Sequence, residues 1–396
     1  MKKLITVFLA MGMILAPFSA CSEKQVDGSS DPVKDEVSSE VSKENTDLTI
    51  DHTMVLKYAE NFRVDYLSDG FKLLTVDNHE DYKKEILLVP EGKDAPKESR
   101  FINENTVIMK APVKDLFVAS TPAVSLINAA DALDRVKMTT YDAKDWYIED
   151  VKSAVEDGRI IYAGHAKNPD FEIISDNNPQ LVVYTTKIDT YTDVREKLAE
   201  LGMEIIVDYS AYESHPMAKT EWVKFYGALL NKETKANKVF SEQDKLFEEI
   251  ENNSSDKTTV IFYINSKNDL YVRKGGDYMV AMLKMAGGKY IFDDLENDST
   301  GTIKIDFESF YEKAKDADNI IYIWPMGGRP KALEDLLAKN ELLRDFKAVQ
   351  NNNVWCTSPD YFQVSDKMGE MIGEIAKIIS DDENDDKEIK HLFKLQ

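Results

Sequence analysis

Ser120, Thr121, His165, Lys187, Tyr209 and Tyr212 in the first half of the chain each stand just past a stretch that reads as a β-strand. So do Tyr271, Arg273, Trp324, Met326, Arg329, Tyr361, Phe362 and Gln363 in the second half. In open α/β sheets, ligands bind outside the carboxyl ends of the strands. Aromatic rings, a thioether and a few cations together suit a large, partly planar, partly anionic small molecule. Any one of these side chains could equally be loop packing or solvated surface; the set carries the reading. Ser120-Thr121-Pro122 also offers an N-cap with proline at the first helical position, and a helix N-terminus can hold an anion.

Catalysis finds little footing in the same residues. There is no zinc-protease helix motif, no Gly-x-Ser-x-Gly elbow and no cysteine placed as a nucleophile. The histidines are His52, His79, His165, His215 and His391. Only His165 and His215 fall near the expected cleft loops, too few to hold a bare zinc or manganese ion there. Gly275-Gly276 and Gly327-Gly328 lack the spacing of phosphate-cradling loops and read as turns. The chain therefore reads as a binder, not an enzyme, with no resident cofactor or metal; the alternative is a surface enzyme or adhesion module on the same scaffold.

The elements that would position these residues centre on Met217 to Ser255. Trp222, Phe225, Tyr226, Leu229 and Leu230 form one apolar stripe, and Ala236, Val239, Phe240, Leu246, Phe247 and Ile250 continue it after Asn231-Lys232. The stretch predicts helix throughout. Short apolar strands alternate with amphipathic helices on both sides of it, after a β-rich first layer between Asp51 and Val113. Each half also repeats a local pattern. Asp170-Phe171-Glu172 opens a helix before the strand at Leu181–Tyr184, and Asp306-Phe307-Glu308 opens one before Ile320–Ile323. The fold expected is α/β: two Rossmann-like lobes, over 52–216 and 256–396, joined by a backbone helix over 217–255, with the ligand cleft between the lobes.

Met1-Lys2-Lys3 and the apolar Leu4–Pro17 form a secretory leader too short to span a membrane as a mature helix. Phe18-Ser19-Ala20-Cys21 resembles a lipoprotein cleavage site, with Phe18 where leucine is usual, so 1–20 reads as the signal and Cys21 as the lipidated residue. Residues 21–51 are rich in Ser, Glu, Asp and Lys, and read as a solvated tether. A net charge of −23 argues against nucleic acid as a partner. The acidic run Asp381–Asp386 reads as a solvated tail. Of the two cysteines, Cys356 is left without a partner and reads as a small buried hydrophobe.

These residues carry a family likeness. The stretches are Asn168-Pro169-Asp170-Phe171-Glu172-Ile173-Ile174 leading to Pro179-Gln180-Leu181-Val182-Val183; His215-Pro216 before Glu221-Trp222-Val223-Lys224-Phe225; Ala286-Gly287-Gly288-Lys289-Tyr290-Ile291-Phe292; and Asp316-Ala317-Asp318. Over roughly Ala111 to Ile379 the chain resembles the substrate-binding lipoproteins of bacterial ABC importers. Their class has a rigid helical backbone and carries ferric siderophores, haem or cobalamin. Pro179-Gln180 stands where the family often has Pro-Asp. The resemblance implies a monomer, lipid-anchored on the extracytoplasmic side, that delivers an iron chelate, or a haem or corrinoid, to a permease and its ATPase. It also implies that Glu172 and Glu308 dock onto permease arginines, one from each lobe; by themselves both read as helix-opening acids that favour the helix dipole.

Overall fold

The computed structural model describes residues 48–250, 254–324, 328–380 and 389–396. Among them, the first layer is a five-stranded sheet. Ile50–Thr53, Phe62–Leu67, Lys72–Asp77 and Lys83–Val89 run antiparallel, and Thr106–Lys110 adds in parallel. Alternation sorts its side chains by face. Val64, Leu74, Ile86 and Leu88 join the core of the first lobe. Leu67, Leu73, Leu87 and Val89 face the other way, onto Leu48, Phe71 and Phe101.

The first lobe is a parallel sheet in the order Ile205–Asp208, Leu181–Thr185, Leu116–Ala119, Val136–Thr139, Ile161–Tyr162. Leu116, Phe117 and Val118 are all fully buried. That continuous apolar run is what a strand covered on both faces requires. The second lobe is built on the parallel strands Thr258–Ile264, Asn319–Tyr322 and Val354–Thr357. Leu270–Arg273 and Thr302–Ile305 extend one side antiparallel. Leu392–Lys394 pairs antiparallel with Val354–Thr357 at the other side.

The single helix expected over Met217–Ser255 is instead three: Pro216–Glu221, Val223–Leu230 and Glu233–Glu248. Asn231 takes the left-handed conformation at φ 56°, and the amide of Lys232 donates to Gly227 O at 2.7 Å. Asparagine tolerates that conformation and so ends a helix where the apolar period alone runs on. The chain folds back, and a Cβ on Gly227 would stand 2.5 Å from the Cβ of Ala236. Pro216–Glu221 lies at the junction, with Met217 in the second core and Ala218 in the first, and Val223–Leu230 belongs to the first lobe, with Phe225 and Tyr226 fully buried. Glu233–Glu248, about 24 Å long at 1.5 Å per residue, then carries the chain to the second lobe. Its Phe240 lies in the first core and its Phe247 in the second.

Asp381–Asp386 lie outside the described residues; after them, Leu392–Lys394 pair with Val354–Thr357. No helix among the described residues is long and apolar enough to cross a membrane.

Candidate functional site

The lobes touch along one seam. Gln363 of the second lobe donates Nε2 to Asp145 O at 2.7 Å and accepts the amide of Tyr147 at 3.0 Å. Ser125 donates to Asp366, Thr220 donates to Ser365 O at 2.8 Å, and the rings of Tyr147 and Trp324 meet at 5.7 Å. The segment before the first long strand straps this seam. Its amides at Lys57, Tyr58 and Ala59 all donate to the buried Glu221 carboxylate, at 2.7–2.8 Å. Those of Glu60 and Asn61 donate to Glu213. Tyr58 stacks on His215 at 4.3 Å, contacts both Phe240 and Phe247, and donates its hydroxyl to Asp244 at 2.7 Å.

Buried charges run across the junction. Arg273 ends the strand Leu270–Arg273 and is only 5% exposed. Its Nη1 lies 3.4 Å from Asp277 Oδ2, and its guanidinium 5.7 Å from the Phe362 ring. Its Nε and Nη2 are buried with no hydrogen-bond partner, and so is the Tyr361 hydroxyl. Burial raises the Tyr361 pKa well above the ordinary range. Asp277 is fixed by the amides of Met279 and Gly301, both at 3.0 Å.

Lys219, on the helix Pro216–Glu221, donates to Ala211 O at 3.0 Å and lies 4.3 Å over the Tyr278 ring. Burial pushes its pKa down to about 8, against Asp277, Asp208 and Glu213, which hold it up. Asp208 accepts from Tyr226 at 2.9 Å, from the Ser210 amide at 2.8 Å and from Ser120 at 3.3 Å. Its own pKa is raised by burial. Each buried donor left without an acceptor costs about 1–3 kcal/mol. A guanidinium with two such donors beside an unpartnered phenol can hold an anionic, oxygen-bearing ligand.

The residues expected from the sequence divide into groups. Arg273, Tyr361 and Phe362 stand together. Ser120 is buried in the Asp208 network and caps the helix Thr121–Ala129, with Thr121 half-buried beside it. Tyr212 is exposed and accepts from Thr186 at 2.8 Å, next to the exposed Lys187. Trp324 meets Tyr147, and the exposed Arg329 lies 5.7 Å over its ring. Tyr271 stacks on Tyr263 at 5.0 Å. His165 is exposed on a hairpin at the sheet's edge, where Nδ1 accepts the Lys167 amide at 3.2 Å. Met326 and Cys21 lie outside the described residues.

Lys219, Asp277 and Tyr278 went unnoticed from sequence. Lys219 sits in a helix that reads as pure scaffold, and its only signal is a lysine among residues that all prove buried. Glu172 and Glu308 occupy matching places, exposed in the first turn of helices capped by Asp170 and Asp306. Cys356 is buried and free.

Two α/β lobes, linked through one crossing helix and meeting at a polar seam, are the architecture of a bilobal binding protein. Residues 130–361 match the periplasmic binding protein family, and the chain belongs to it. Among curated relatives, an uncharacterized lipoprotein of Methanocaldococcus jannaschii is 29% identical over 96% of this chain and 93% of its own length. A second uncharacterized lipoprotein of that archaeon is 27% identical over 100% of both chains. Among solved structures, a periplasmic binding protein of Veillonella parvula aligns with TM-score 0.56 at 15% identity, over 76% of this chain and 96% of that one. The petrobactin-binding protein of Bacillus subtilis gives 0.54 at 15% identity, over 68% and 93%. The haem-binding protein HutB of Vibrio cholerae gives 0.53 at 13%, over 66% and 97%. At these identities the structural likeness establishes the fold.

Proposed function

We propose that the chain is an extracytoplasmic solute-binding lipoprotein of an ABC importer, anchored through Cys21, that captures an anionic ferric chelate and hands it to a permease. The family and the lipoprotein relatives support the role. The observation that carries the ligand class is Arg273, buried at the lobe junction with Nε and Nη2 unpartnered. An anionic chelate supplies the oxygens those donors lack, and Tyr361 adds a third donor beside them. Haem and cobalamin are the competing cargoes. His165 is exposed on its hairpin, with Nδ1 accepting the Lys167 amide.

The test is titration of the purified protein, followed by tryptophan fluorescence and visible absorption, with an anionic ferric siderophore, haemin and cyanocobalamin in turn. The siderophore is expected to bind, and Arg273→Gln to weaken it by about 1.5–3 kcal/mol, the worth of a charged hydrogen bond. Tighter binding of cyanocobalamin or haemin, unchanged in Arg273→Gln, overturns the ligand class. The anchor is checked by Cys21→Ala, which should release the protein from the detergent phase.

A further inference from the structure

A second cluster lies in the second lobe. Glu370 and Glu374 are four residues apart on the helix Met368–Ile379, so their side chains share one face. His391 immediately precedes the last strand, Leu392–Lys394. One ligand-type atom from each of the three residues lies within 4.8 Å of the others.

His391 is 6% exposed, and neither ring nitrogen has a hydrogen-bond partner. Nε2 lies 3.9 Å from Glu370 Oε2, and Nδ1 lies 3.8 Å from Asp360 Oδ2. A protonated imidazole bonded directly to these carboxylates would draw them in to about 2.7–2.9 Å. They stand about 1 Å further off. Two atoms bound to a common metal at about 2.0–2.2 Å are roughly 3.4 Å apart at a tetrahedral angle. For His391 Nε2 and Glu370 Oε2 a contraction of about 0.5 Å reaches that separation.

The supporting atoms are also in place. Both oxygens of Glu374 accept backbone amides, from Lys390 at 2.8 Å and His391 at 2.9 Å, which fixes the carboxylate. Nδ1 faces Asp360, as in a carboxylate–histidine–metal arrangement, where the outer carboxylate sets the ring's tautomer and orientation.

We propose that Glu370, Glu374 and His391 bind one divalent transition-metal ion, with Nε2 as the nitrogen ligand and Asp360 as a positioning residue. An imidazole beside two carboxylates suits Zn²⁺, Mn²⁺ or Fe²⁺ and gives Ca²⁺ no advantage. The Lys390 ammonium now hydrogen-bonds to Glu370. Its side chain is 67% exposed, so it can swing into solvent when a dication arrives. The bound ion ties the last strand to the helix. None of the three ligands is among the cleft residues, although Asp360 directly precedes Tyr361.

The experiment is calorimetric titration of chelator-stripped full-length protein in detergent with ZnCl₂, MnCl₂ and CaCl₂ separately. One Zn²⁺ or Mn²⁺ per chain is expected, with Ca²⁺ much weaker. His391→Ala and Glu374→Gln should each weaken binding about 100-fold or more, and Asp360→Asn about 10-fold, the usual size of an outer-sphere effect. Asp360 is partly exposed, so its variant keeps the test valid should His391→Ala fold poorly. Absence of Zn²⁺ and Mn²⁺ binding overturns the proposal. So does equal affinity in Asp360→Asn and His391→Ala to that of the wild type, or Ca²⁺ binding as tightly as Zn²⁺.

Discussion

Glu221 offers the sharpest test of how the lobes are held. Its side chain is fully buried, and each oxygen accepts two hydrogen bonds. Oε1 takes the Lys57 amide at 2.8 Å and Lys224 Nζ at 2.7 Å. Oε2 takes the Tyr58 and Ala59 amides at 2.7 and 2.8 Å. Glu221→Gln keeps the volume but turns one acceptor into a donor. Whichever way the new amide is flipped, two donors lose their acceptor and face an NH₂ group. At about 1–3 kcal/mol for each orphaned buried donor, the loss is on the order of 2–6 kcal/mol. Urea unfolding should show this as a lower midpoint with an unchanged slope. Amide exchange at Lys57, Tyr58 and Ala59 should accelerate by more than the global loss explains. A loss below about 1 kcal/mol would mean that water reaches these amides, and would refute the strap as a buried clamp.

Two further outcomes follow from described side chains. Lys219 has a folded pKa of about 8 against an ordinary 10.5, so between those values the unfolded chain binds more protons and stability rises with pH. Above pH 10 the unfolded chain's tyrosines ionise before the buried Tyr226 and Tyr290, whose pKa values burial raises, and the trend reverses. From pH 8 to 10, wild type should gain about 2 kcal/mol relative to Lys219→Met; a flat difference in urea midpoints would remove the assignment. The double variant Glu172→Ala with Glu308→Ala should bind cargo as wild type does while uptake in cells is abolished, because rim charges orient docking more than they hold ligand. Normal uptake would sink the docking role, and lost affinity would move both residues to the cleft.

The sequence made the β/α alternation legible because parallel strands buried on both faces leave unbroken apolar runs, such as Leu116-Phe117-Val118 and Ile320-Ile321-Tyr322. The expected strands at Leu181–Tyr184 and Ile320–Ile323 fall within one residue of the observed Leu181–Thr185 and Asn319–Tyr322. Edge strands hid. Thr302–Ile305 and Leu392–Lys394 are short and mixed in polarity, and nothing local separates them from loop. The break at Asn231 hid for another reason: the apolar period is the same on either side of it, and only the backbone angle reveals the reversal. At the junction, Arg273, Tyr361 and Phe362 could be picked out by residue type beyond a strand. Lys219 and Asp277 could not, because what sets them apart is burial against partners distant in sequence.

The strap has a consequence for where this protein can be cut. The family match begins at residue 130, which invites a construction that starts there or at the strand Leu116–Ala119. Such a piece would lose Tyr58 and with it the ring that lies against His215, Phe240 and Phe247. It would also leave the carboxylates of Glu213 and Glu221 buried without the five amides that now satisfy them. Glu221, Phe240 and Phe247 lie on helices at the junction of the two lobes. The boundary of the family is therefore not a boundary of folding, and Lys57–Asn61 are structural parts of the junction they cover.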